Sequence, residues 1–398
     1  MLHEIKVSNF YSIRDEVILD LRASAYAPES SRLRISPSRN DIRLPTMVSI
    51  YGPNASGKST ILRSVISAIQ FACNSFDWPV DSDILNFQPF MAEGMMSEPT
   101  QIIVEFDARW IDDESHLFRY ELVIKNHGNL AGKSVEYEAL SYAPQGRWRR
   151  VLERKADDAR VFAAKEFGLR PKDSKLDPMR RNCSMIATLA KFNVPLATRV
   201  WQDLRGVQSN IHGHVRTVPN IDRLLVYYRD NPPLLDRLNK ELRRIDIGIE
   251  KMRLESTETG IQACFEHDGF SAPILLHEES AGTNHFVHLF PLLNYALEAG
   301  HIAFIDEFDC FFHPELMREI FGWFRSPDRN PHNAQLIITS HNTSLLDDLE
   351  KEEVFLTEKD QNGATIVYSA QDIKGLRREP KMQKKYLSGA LGALPRIG

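Results

Sequence analysis

The stretch YGPNASGKST, residues 51–60, constrains the fold of this 398-residue chain more than any other. It matches the pattern Gly-x-x-x-x-Gly-Lys-Ser/Thr, between a short apolar run that ends at Gly52 and a segment with apolar residues at helical spacing. A strand, a glycine-rich turn and a helix in this order form a phosphate-binding loop, because backbone N–H groups and the positive end of the helix surround the anion. The sequence therefore predicts a nucleoside triphosphate site.

Each residue type in this loop has an expected task. Lys58 is expected to reach the β- and γ-phosphates of ATP, and the Ser59 hydroxyl is expected to bind Mg²⁺. A glycine-rich turn without a ligand is the alternative, but the flanking strand and helix favour the phosphate site. ATP and Mg²⁺ are therefore the expected cofactors. The predicted nucleotide contacts in the loop are Gly52, Pro53, Asn54, Ala55, Ser56, Gly57, Lys58, Ser59 and Thr60.

A second group of candidate residues follows an apolar strand in HIAFIDEFD, residues 301–309. Ligands of α/β sheets bind at the carboxyl ends of the strands, where Asp306 and Glu307 stand. Asp306 suits Mg²⁺ binding, and Glu307 suits activation of the attacking water. Capping or loop carboxylates are the alternative. Asp309 is expected to be a solvated loop acid, although it could join the site.

A histidine follows the next apolar strand, in AQLIITSHN, residues 334–342. An imidazole at the tip of a strand can donate a hydrogen bond to the γ-phosphate and so respond to its presence. An ordinary surface histidine is the alternative, but a position one strand after the acidic pair favours a functional role. Glu307 and His341 are therefore the predicted catalytic residues.

The segment EESAGT, residues 278–283, precedes an apolar helix and the acidic strand. A hydroxyl from Ser280, the bare backbone of Gly282 and a helix N-terminus together can bind an anion. Considered alone, the segment is a weak signal, and a plain helix N-cap is the alternative. Its location just ahead of the acidic strand favours the anion site.

Strand and helix patterns organise the chain into an α/β protein. Residues 5–13 and 17–21 predict a hairpin, and residues 100–125 predict a β meander. Residues 146–250 are rich in Arg, Lys, Leu and Ala and are expected to be interrupted at Pro171, Pro195 and Pro232–Pro233, so a mainly helical insertion is expected. After residue 300, strands and helices alternate, which favours a mostly parallel sheet with helices packed on it.

Composition narrows the classes of protein that remain. The net charge of −5 indicates no overall basic field for nucleic acid. The charged N-terminus is unlike a signal peptide, and no apolar run is long enough to span a membrane, so a cytoplasmic protein without membrane contact is expected. The four cysteines are far apart and have no metal-ligand spacing.

The order of these motifs resembles that of the ABC-class ATPases, including the RecF, SMC and OLD-nuclease branch. The resemblance is closest to the bacterial RloA-like AAA/ABC-type ATPases associated with abortive infection and phage defence. In place of that family's usual Leu-His-Pro, this chain has Phe312, His313 and Pro314. The segments that carry the resemblance are IKVSNFYSIRD, ILNFQPF followed by SEPT, EESAGT, FIDEFDCFFHPEL, QLIITSHNTSLLD and KYLSGALGALP.

The resemblance implies an ABC-type ATPase head, with a mixed sheet, an N-terminal antiparallel β subdomain and a mainly helical insertion. Residues 1–145 and 251–398 would form the head, and residues 146–250 the insertion. Gln88 would contact Mg²⁺ and the attacking water, although the surrounding FQPF departs from the family pattern.

Partners and a biological role are also implied by the resemblance. Ser280 and Gly282 would bind the γ-phosphate of ATP held by a second copy, so that ATP joins a homodimer or a higher homo-oligomer. The ATPase would act as the sensor or regulatory subunit of an anti-phage system. Its ATP cycle would control a separately encoded effector, such as a nuclease or toxin.

A DNA-maintenance ATPase of the RecF or SMC type is the alternative, which would bind DNA in an ATP-dependent way. The stretch from Arg147 to Lys155, with Trp148, could contact phosphates, although a solvated helix face is the other interpretation. Nucleic acid therefore stays a candidate partner. The motor of a membrane importer is disfavoured, because KYLSGALGALP has no place in that class.

Overall fold

The computed structural model describes residues 1–80, 82–110, 113–128, 132–156, 161–165, 180–212, 215–216, 220–245, 248–258, 260–376 and 381–395. Within these ranges the strands are β1 (Leu2–Ser8), β2 (Val17–Asp20), β3 (Leu33–Ser36), β4 (Arg39–Pro45), β5 (Met47–Tyr51), β6 (Thr100–Arg109), β7 (Ser115–Asn126), β8 (Lys133–Tyr142), β9 (Arg149–Lys155), β10 (Phe162–Ala163), β11 (Gln208–Ser209), β12 (Ile211–His212), β13 (Val215–Arg216), β14 (Ile249–Thr257), β15 (Gly260–His267), β16 (Ile274–Leu275), β17 (Ile302–Ile305), β18 (Gln335–Thr339), β19 (Val354–Lys359) and β20 (Thr365–Ser369). The α-helices are α1 (Lys58–Asn74), α2 (Met185–Lys191), α3 (Pro195–Arg205), α4 (Ile221–Asp230), α5 (Pro232–Ile245), α6 (Ala281–Ala299), α7 (Pro314–Arg325) and α8 (Met382–Leu387).

An antiparallel sheet forms one layer of the molecule, with the strand order β10-β9-β8-β7-β6-β1-β2 among the described residues. The predicted hairpin is confirmed, since β1 and β2 pair in antiparallel register with Ile5 opposite Leu19. The predicted meander is confirmed as well, because β6 pairs with β7 and β7 with β8. This layer supplies the turn between β1 and β2, which reaches the functional site.

The beginning of the predicted helical insertion is a strand instead, since β9 pairs with β8. A buried carboxylate favours this arrangement: Glu138 on β8 is fully buried, and its ion pair with Arg154 on β9 has an N–O distance of 2.9 Å. A buried charge needs such a partner, so tertiary contacts outweigh the helix-favouring composition. Residues 157–160 and 166–179, with the predicted break at Pro171, lie outside the described residues.

The helices predicted for the rest of the insertion are present as α2 to α5. Two prolines expected to interrupt this segment instead begin helices, Pro195 in α3 and Pro232 in α5. Proline suits the first helical position because its missing N–H would have no helical partner there. Helix α5 is followed by strand β14. The division at residues 146 and 250 stays a prediction.

A second, mixed sheet carries the candidate site. Its order is β11-β17-β18-β5-β19-β20 within the described part of the chain, with parallel pairing throughout except for antiparallel β20. Strands β5, β17 and β18 are fully buried, which is typical of parallel strands covered on both faces. Helix α1 shares one apolar core with the antiparallel sheet, and α6 and α7 share another on the opposite face.

Because β5, β17 and β18 are parallel neighbours, their carboxyl ends lie at one edge of the sheet. The segments that follow them are the phosphate loop, the acidic pair and the histidine segment. The topology therefore brings the three motifs together. Among the described residues, no helix combines the length and the apolar character needed to cross a membrane.

Candidate functional site

Two glycines allow the phosphate loop to lie against the last two strands of the mixed sheet. Gly57, the N-cap of α1, has a φ of 109°, and a Cβ atom there would overlap the side chain of Thr365 on β20. A Cβ atom at Gly52 would overlap the backbone and hydroxyl of Thr357 on β19. Both positions therefore require glycine for close packing, and Gly57 also for its left-handed backbone.

Hydrogen bonds from the same two threonines hold the loop. The hydroxyls of Ser56 and Thr357 are 2.6 Å apart, and the Thr365 hydroxyl donates to the Ser56 carbonyl oxygen at 2.9 Å. The hairpin of β19 and β20 thus fixes the loop through two side chains that the sequence analysis did not identify. Rigid support of this kind lowers the cost of ordering a ligand site.

Lys58 lies at the centre of the loop and is only 5% exposed. Its ammonium donates to the carbonyl oxygens of Gly52 at 2.8 Å and Pro53 at 2.9 Å. Burial lowers the pKa of Lys58 to about 8, against the opposing attraction of the nearby carboxylates, of which Asp306 is the strongest. A buried ammonium that lacks a carboxylate contact suits an anionic ligand.

Asp306 connects the acidic strand to helix α1. Its Oδ1 accepts hydrogen bonds from the hydroxyls of Ser59 at 2.9 Å and Thr339 at 2.6 Å. The Asn210 side chain holds the Asp306 backbone by donating to its carbonyl oxygen at 3.0 Å and accepting from its N–H at 2.8 Å. These hydroxyl and carboxylate oxygens are hard ligands of the kind that Mg²⁺ prefers, alongside water and phosphate oxygens.

Glu307 follows directly and is exposed, in contrast to Asp306. Its backbone has a φ of 49°, a left-handed conformation that costs a residue with a Cβ atom on the order of 1 kcal/mol. The Glu307 N–H donates to the Thr339 hydroxyl at 2.7 Å, which holds this turn in place. Unfavourable backbone conformations of this kind cluster at functional sites.

His341 lies two residues after the end of β18, as Glu307 lies two residues after the end of β17. Its backbone N–H donates to Oδ2 of Asp309 at 3.0 Å. Partial burial lowers the pKa of the His341 imidazole, and the positive charge of Lys58 lowers it further. The ring is therefore neutral near pH 7, with one nitrogen able to donate a hydrogen bond.

The side chains of Lys58, Ser59, Glu307 and His341 line one cleft of about 450 Å³. Ser12, which the sequence analysis missed, reaches it from the turn between β1 and β2. Its hydroxyl lies 2.8 Å from that of Thr365 and 3.2 Å from that of Thr60. Its only signal was a place in NFYSI, which has no specific spacing. The cleft is lined by Ser12, Asn54, Ala55, Ser56, Gly57, Lys58, Ser59, Thr60, Glu307, Thr339 and His341.

Comparison with known families places this cleft in a protein class. Residues 47–347 match the family described as "AAA domain, putative AbiEii toxin, Type IV TA system". The chain belongs to this AAA-domain family. The matched region runs from the strand before the phosphate loop to the segment after His341. No curated protein matches the sequence of this AAA-domain protein.

Solved structures similar to this AAA-domain protein include three SMC heads. The SMC head domain from Thermotoga maritima is 16% identical, with 92% of this chain and 98% of that chain covered and a TM-score of 0.43. The SMC head bound to the C-terminal winged-helix domain of ScpA is 13% identical, with 96% and 99% covered and a TM-score of 0.45. The SMC head with an extended coiled coil bound to the C-terminal domain of ScpA, from Pyrococcus furiosus, is also 13% identical, with 92% and 96% covered and a TM-score of 0.43.

The AAA-domain protein has the predicted α/β fold, with a mixed sheet and an N-terminal antiparallel β layer. A mixed sheet carries the phosphate loop, and the strand with the acidic pair is separated from it by the strand that ends before His341. An antiparallel β layer covers the helix that follows the loop. The order of the motifs along the sequence predicted this architecture correctly.

Six predicted site residues of the AAA-domain protein are absent from the described lining of its cleft: Gly52, Pro53, Gln88, Ser280, Gly282 and Asp306. Gln88 is exposed, and its carbonyl oxygen accepts from the N–H of Tyr11 at 2.7 Å, one residue before Ser12. Ser280 is exposed and caps helix α6 by accepting from the N–H of Thr283 at 3.0 Å. Gly282 is next to the acidic turn, since a Cβ atom there would lie 3.0 Å from the Phe311 carbonyl oxygen.

The expectation that Asp309 is a solvated loop acid is wrong. Its Oδ2 accepts the His341 N–H, and its Oδ1 is buried without a hydrogen-bond partner among the described residues. The carboxylate also attracts the Lys58 ammonium. Asp309 therefore fixes the backbone of the histidine segment beside the cleft of the AAA-domain protein. The sequence analysis underestimated it because its contact with His341 depends on the neighbouring strand.

Proposed function

We propose that the protein binds ATP with Mg²⁺ and hydrolyses it to ADP and phosphate. The observation that carries this proposal is the cleft lined by the buried Lys58 and by Glu307 and His341, which follow two neighbouring strands. Ser59 lines the same cleft and donates to Asp306. Lys58 pairs with the β- and γ-phosphates. Ser59 and Asp306 would hold Mg²⁺, which neutralises part of the phosphate charge when bound.

Two residues would act on the γ-phosphate and on water. Glu307 lies at the open side of the cleft, where its carboxylate can accept a proton from water as the water oxygen attacks phosphorus. The bond to the bridging oxygen breaks, and ADP keeps the electron pair. The neutral His341 donates a hydrogen bond to a γ-phosphate oxygen, which stabilises charge that develops in the transition state. Gln88 stays a candidate water and Mg²⁺ contact.

ATP also joins two copies of the chain in this proposal. Ser280, which is exposed, and Gly282, which is half-buried, begin helix α6 outside the described lining of their own cleft. A helix N-terminus with a hydroxyl and a glycine can bind an anion, and a second copy can present it to the γ-phosphate. The composite site makes dimer formation depend on ATP, and a higher homo-oligomer is compatible with it.

The ATP cycle would regulate a separately encoded effector in phage defence, within a cytoplasmic system. The resemblance to abortive-infection ATPases supports this role, and so does the toxin in the description of the matched family. The DNA-maintenance alternative gains no support from the basic stretch. Arg154 is paired with Glu138, Arg150 with Glu153, and the Trp148 ring lies 4.1 Å from the Arg119 guanidinium.

A direct test is to incubate the purified protein with ATP and Mg²⁺ and measure phosphate release, alongside DNA and RNA cleavage. We expect Mg²⁺-dependent phosphate release and no nuclease activity from the chain itself. A native effector should be recovered by affinity purification from the source organism. Robust nucleic-acid cleavage that is lost on substitution outside the ATP cleft would contradict the regulatory role, and salt-sensitive DNA binding strengthened by ATP would favour the alternative.

The pKa of Lys58 predicts how ATP affinity depends on pH. Since this pKa is about 8 without nucleotide, the ammonium is charged below that value and increasingly neutral above it. ATP binds the charged form, so the dissociation constant is expected to be flat below about pH 8 and to rise up to about 10-fold per pH unit above it. Nucleotide titrations between about pH 7 and pH 9 measure this. Lys58→Arg, which stays charged, is the control, and an equal slope in that variant would contradict the assignment.

A further inference from the structure

The C-terminal residues 381–395 pack against the apolar core beside the mixed sheet, although none of them lines the described cleft. Met382, Tyr386, Leu391 and Ala393 are buried in the same apolar core as Tyr51, the last residue of β5. The rings of Tyr386 and Tyr51 are 6.4 Å apart. The segment thus lies directly behind the strand that leads into the phosphate loop.

One end of this segment is tied to the strands that hold the phosphate loop. The Tyr368 hydroxyl on β20 donates to the Leu391 carbonyl oxygen at 2.9 Å, and the Ala393 N–H donates to the Glu358 carboxylate on β19 at 3.0 Å. Glu358 is adjacent to Thr357, which bonds to the loop. Movement of this end of the segment would therefore reach β19 and β20.

The other end is tied to the segment that follows His341. The Gln383 N–H donates to the Asp347 carboxylate at 2.8 Å, and its side chain donates to the Thr343 hydroxyl at 3.4 Å. Thr343 and Asp347 belong to a turn of 3-10 helix that begins two residues after His341. The Asn342 side chain caps this turn by accepting from the Ser344 N–H at 3.0 Å. Hydrogen bonds thus link the turn that follows His341 to the C-terminal segment.

We propose that residues 381–395 form a C-terminal clasp that holds the turn after His341 against the strands that support the phosphate loop, and so positions His341 for ATP hydrolysis. None of residues 381–395 belongs to the described lining of the cleft, so the clasp residues are positioning residues. Two polar anchors hold one end on β19 and β20, and two hold the other end on the turn after His341. The catalytic part of the inference rests on the proposed ATPase function, and the positioning of the histidine segment does not.

A single methyl group added within the clasp, outside the described lining of the cleft, can loosen it. Gly392 has a φ of 71°, and a Cβ atom there would overlap the Tyr368 hydroxyl oxygen. In Gly392→Ala either the tyrosine moves, which breaks its bond to Leu391, or the segment lifts. Gly389→Ala is the matched control, since its φ of 79° imposes the same backbone strain while its Cβ would make an ordinary 3.5 Å contact with Leu394.

Two measurements separate positioning from general stability. Hydrogen exchange of residues 340–348 should become at least about 10-fold faster in Gly392→Ala than in Gly389→Ala, because displacement of the clasp at its β20 end also shifts Gln383, which anchors the turn after His341. With ATP, kcat should fall about 10-fold while nucleotide affinity stays the same, as expected for a misplaced catalytic group. Gly392→Ala should cost little further activity in a His341→Ala background, because the lost positioning acts through that residue. Adding Tyr368→Phe to Gly392→Ala removes the overlap, and this double variant should behave like Tyr368→Phe alone.

The outcomes distinguish the clasp from the ATPase proposal. Unchanged exchange at residues 340–348 in Gly392→Ala overturns the clasp, even if the melting temperature falls. Faster exchange with an unchanged kcat in an active enzyme overturns its catalytic part. A wild-type protein that does not hydrolyse ATP overturns the proposed function instead, while faster exchange would still support the anchoring of the histidine segment.

Discussion

Lys58→Ala is expected to lower kcat/KM for ATP hydrolysis by about 10³-fold, the upper end of losses seen when one transition-state stabilising group is removed. The ammonium is the buried cation at the centre of the loop, and its two present partners are neutral carbonyl oxygens. Its loss removes the charge that pairs with the phosphates. Phosphate release at saturating and limiting ATP, together with direct nucleotide titration, measures the effect.

The control for this variant is Lys240→Ala, on helix α5 and outside the described lining of the cleft. Its activity should equal that of the wild type. Far-ultraviolet circular dichroism and a melting curve should show that Lys58→Ala is folded, because the substitution removes hydrogen bonds to only two loop carbonyls. A folded Lys58→Ala protein that binds and hydrolyses ATP normally would contradict the assignment of the ATP site to this cleft.

The parts of the fold that local patterns specify could be predicted from the sequence. The phosphate loop has a fixed spacing, and a buried strand must precede it, so β5 and α1 follow from residues 47–74 alone. The acidic and histidine segments each end an apolar run of the length of a buried strand. Parallel strands put these ends at one edge, which is why one site could be inferred from three distant motifs.

Contacts between distant segments could not be predicted in the same way. Thr357, Thr365 and Asn210 support the loop and Asp306, but nothing in their local sequence distinguishes them from other strand or loop polar residues. The strand β9 was missed for a related reason. The sequence around Arg154 favours a helix, and its position in a strand is explained by the ion pair with the buried Glu138 on β8. Local propensity gives way to tertiary pairing at such positions.

Glu307→Gln is expected to bind ATP but to lower kcat by about 10²- to 10⁴-fold, the usual contribution of a general base. The amide has nearly the shape of the carboxylate, and the backbone bond from Glu307 to Thr339 is unaffected, so the turn keeps its conformation. Because hydrolysis would open the dimer, this variant should accumulate as an ATP-bound dimer. Size-exclusion chromatography with light scattering, with and without ATP, measures the assembly state.

A second substitution in the Glu307→Gln background tests whether Ser280 faces the partner's nucleotide. Asp and Asn cap a helix as well as Ser does, so both Ser280→Asp and Ser280→Asn should preserve the cap that now accepts from Thr283. The added carboxylate repels the γ-phosphate, whereas the amide does not. We therefore expect Ser280→Asp to abolish the ATP-dependent dimer and Ser280→Asn to retain most of it. Equal dimer formation by the two variants, or an assembly state that ignores ATP in Glu307→Gln, would mean that each cleft works without a residue from a second copy.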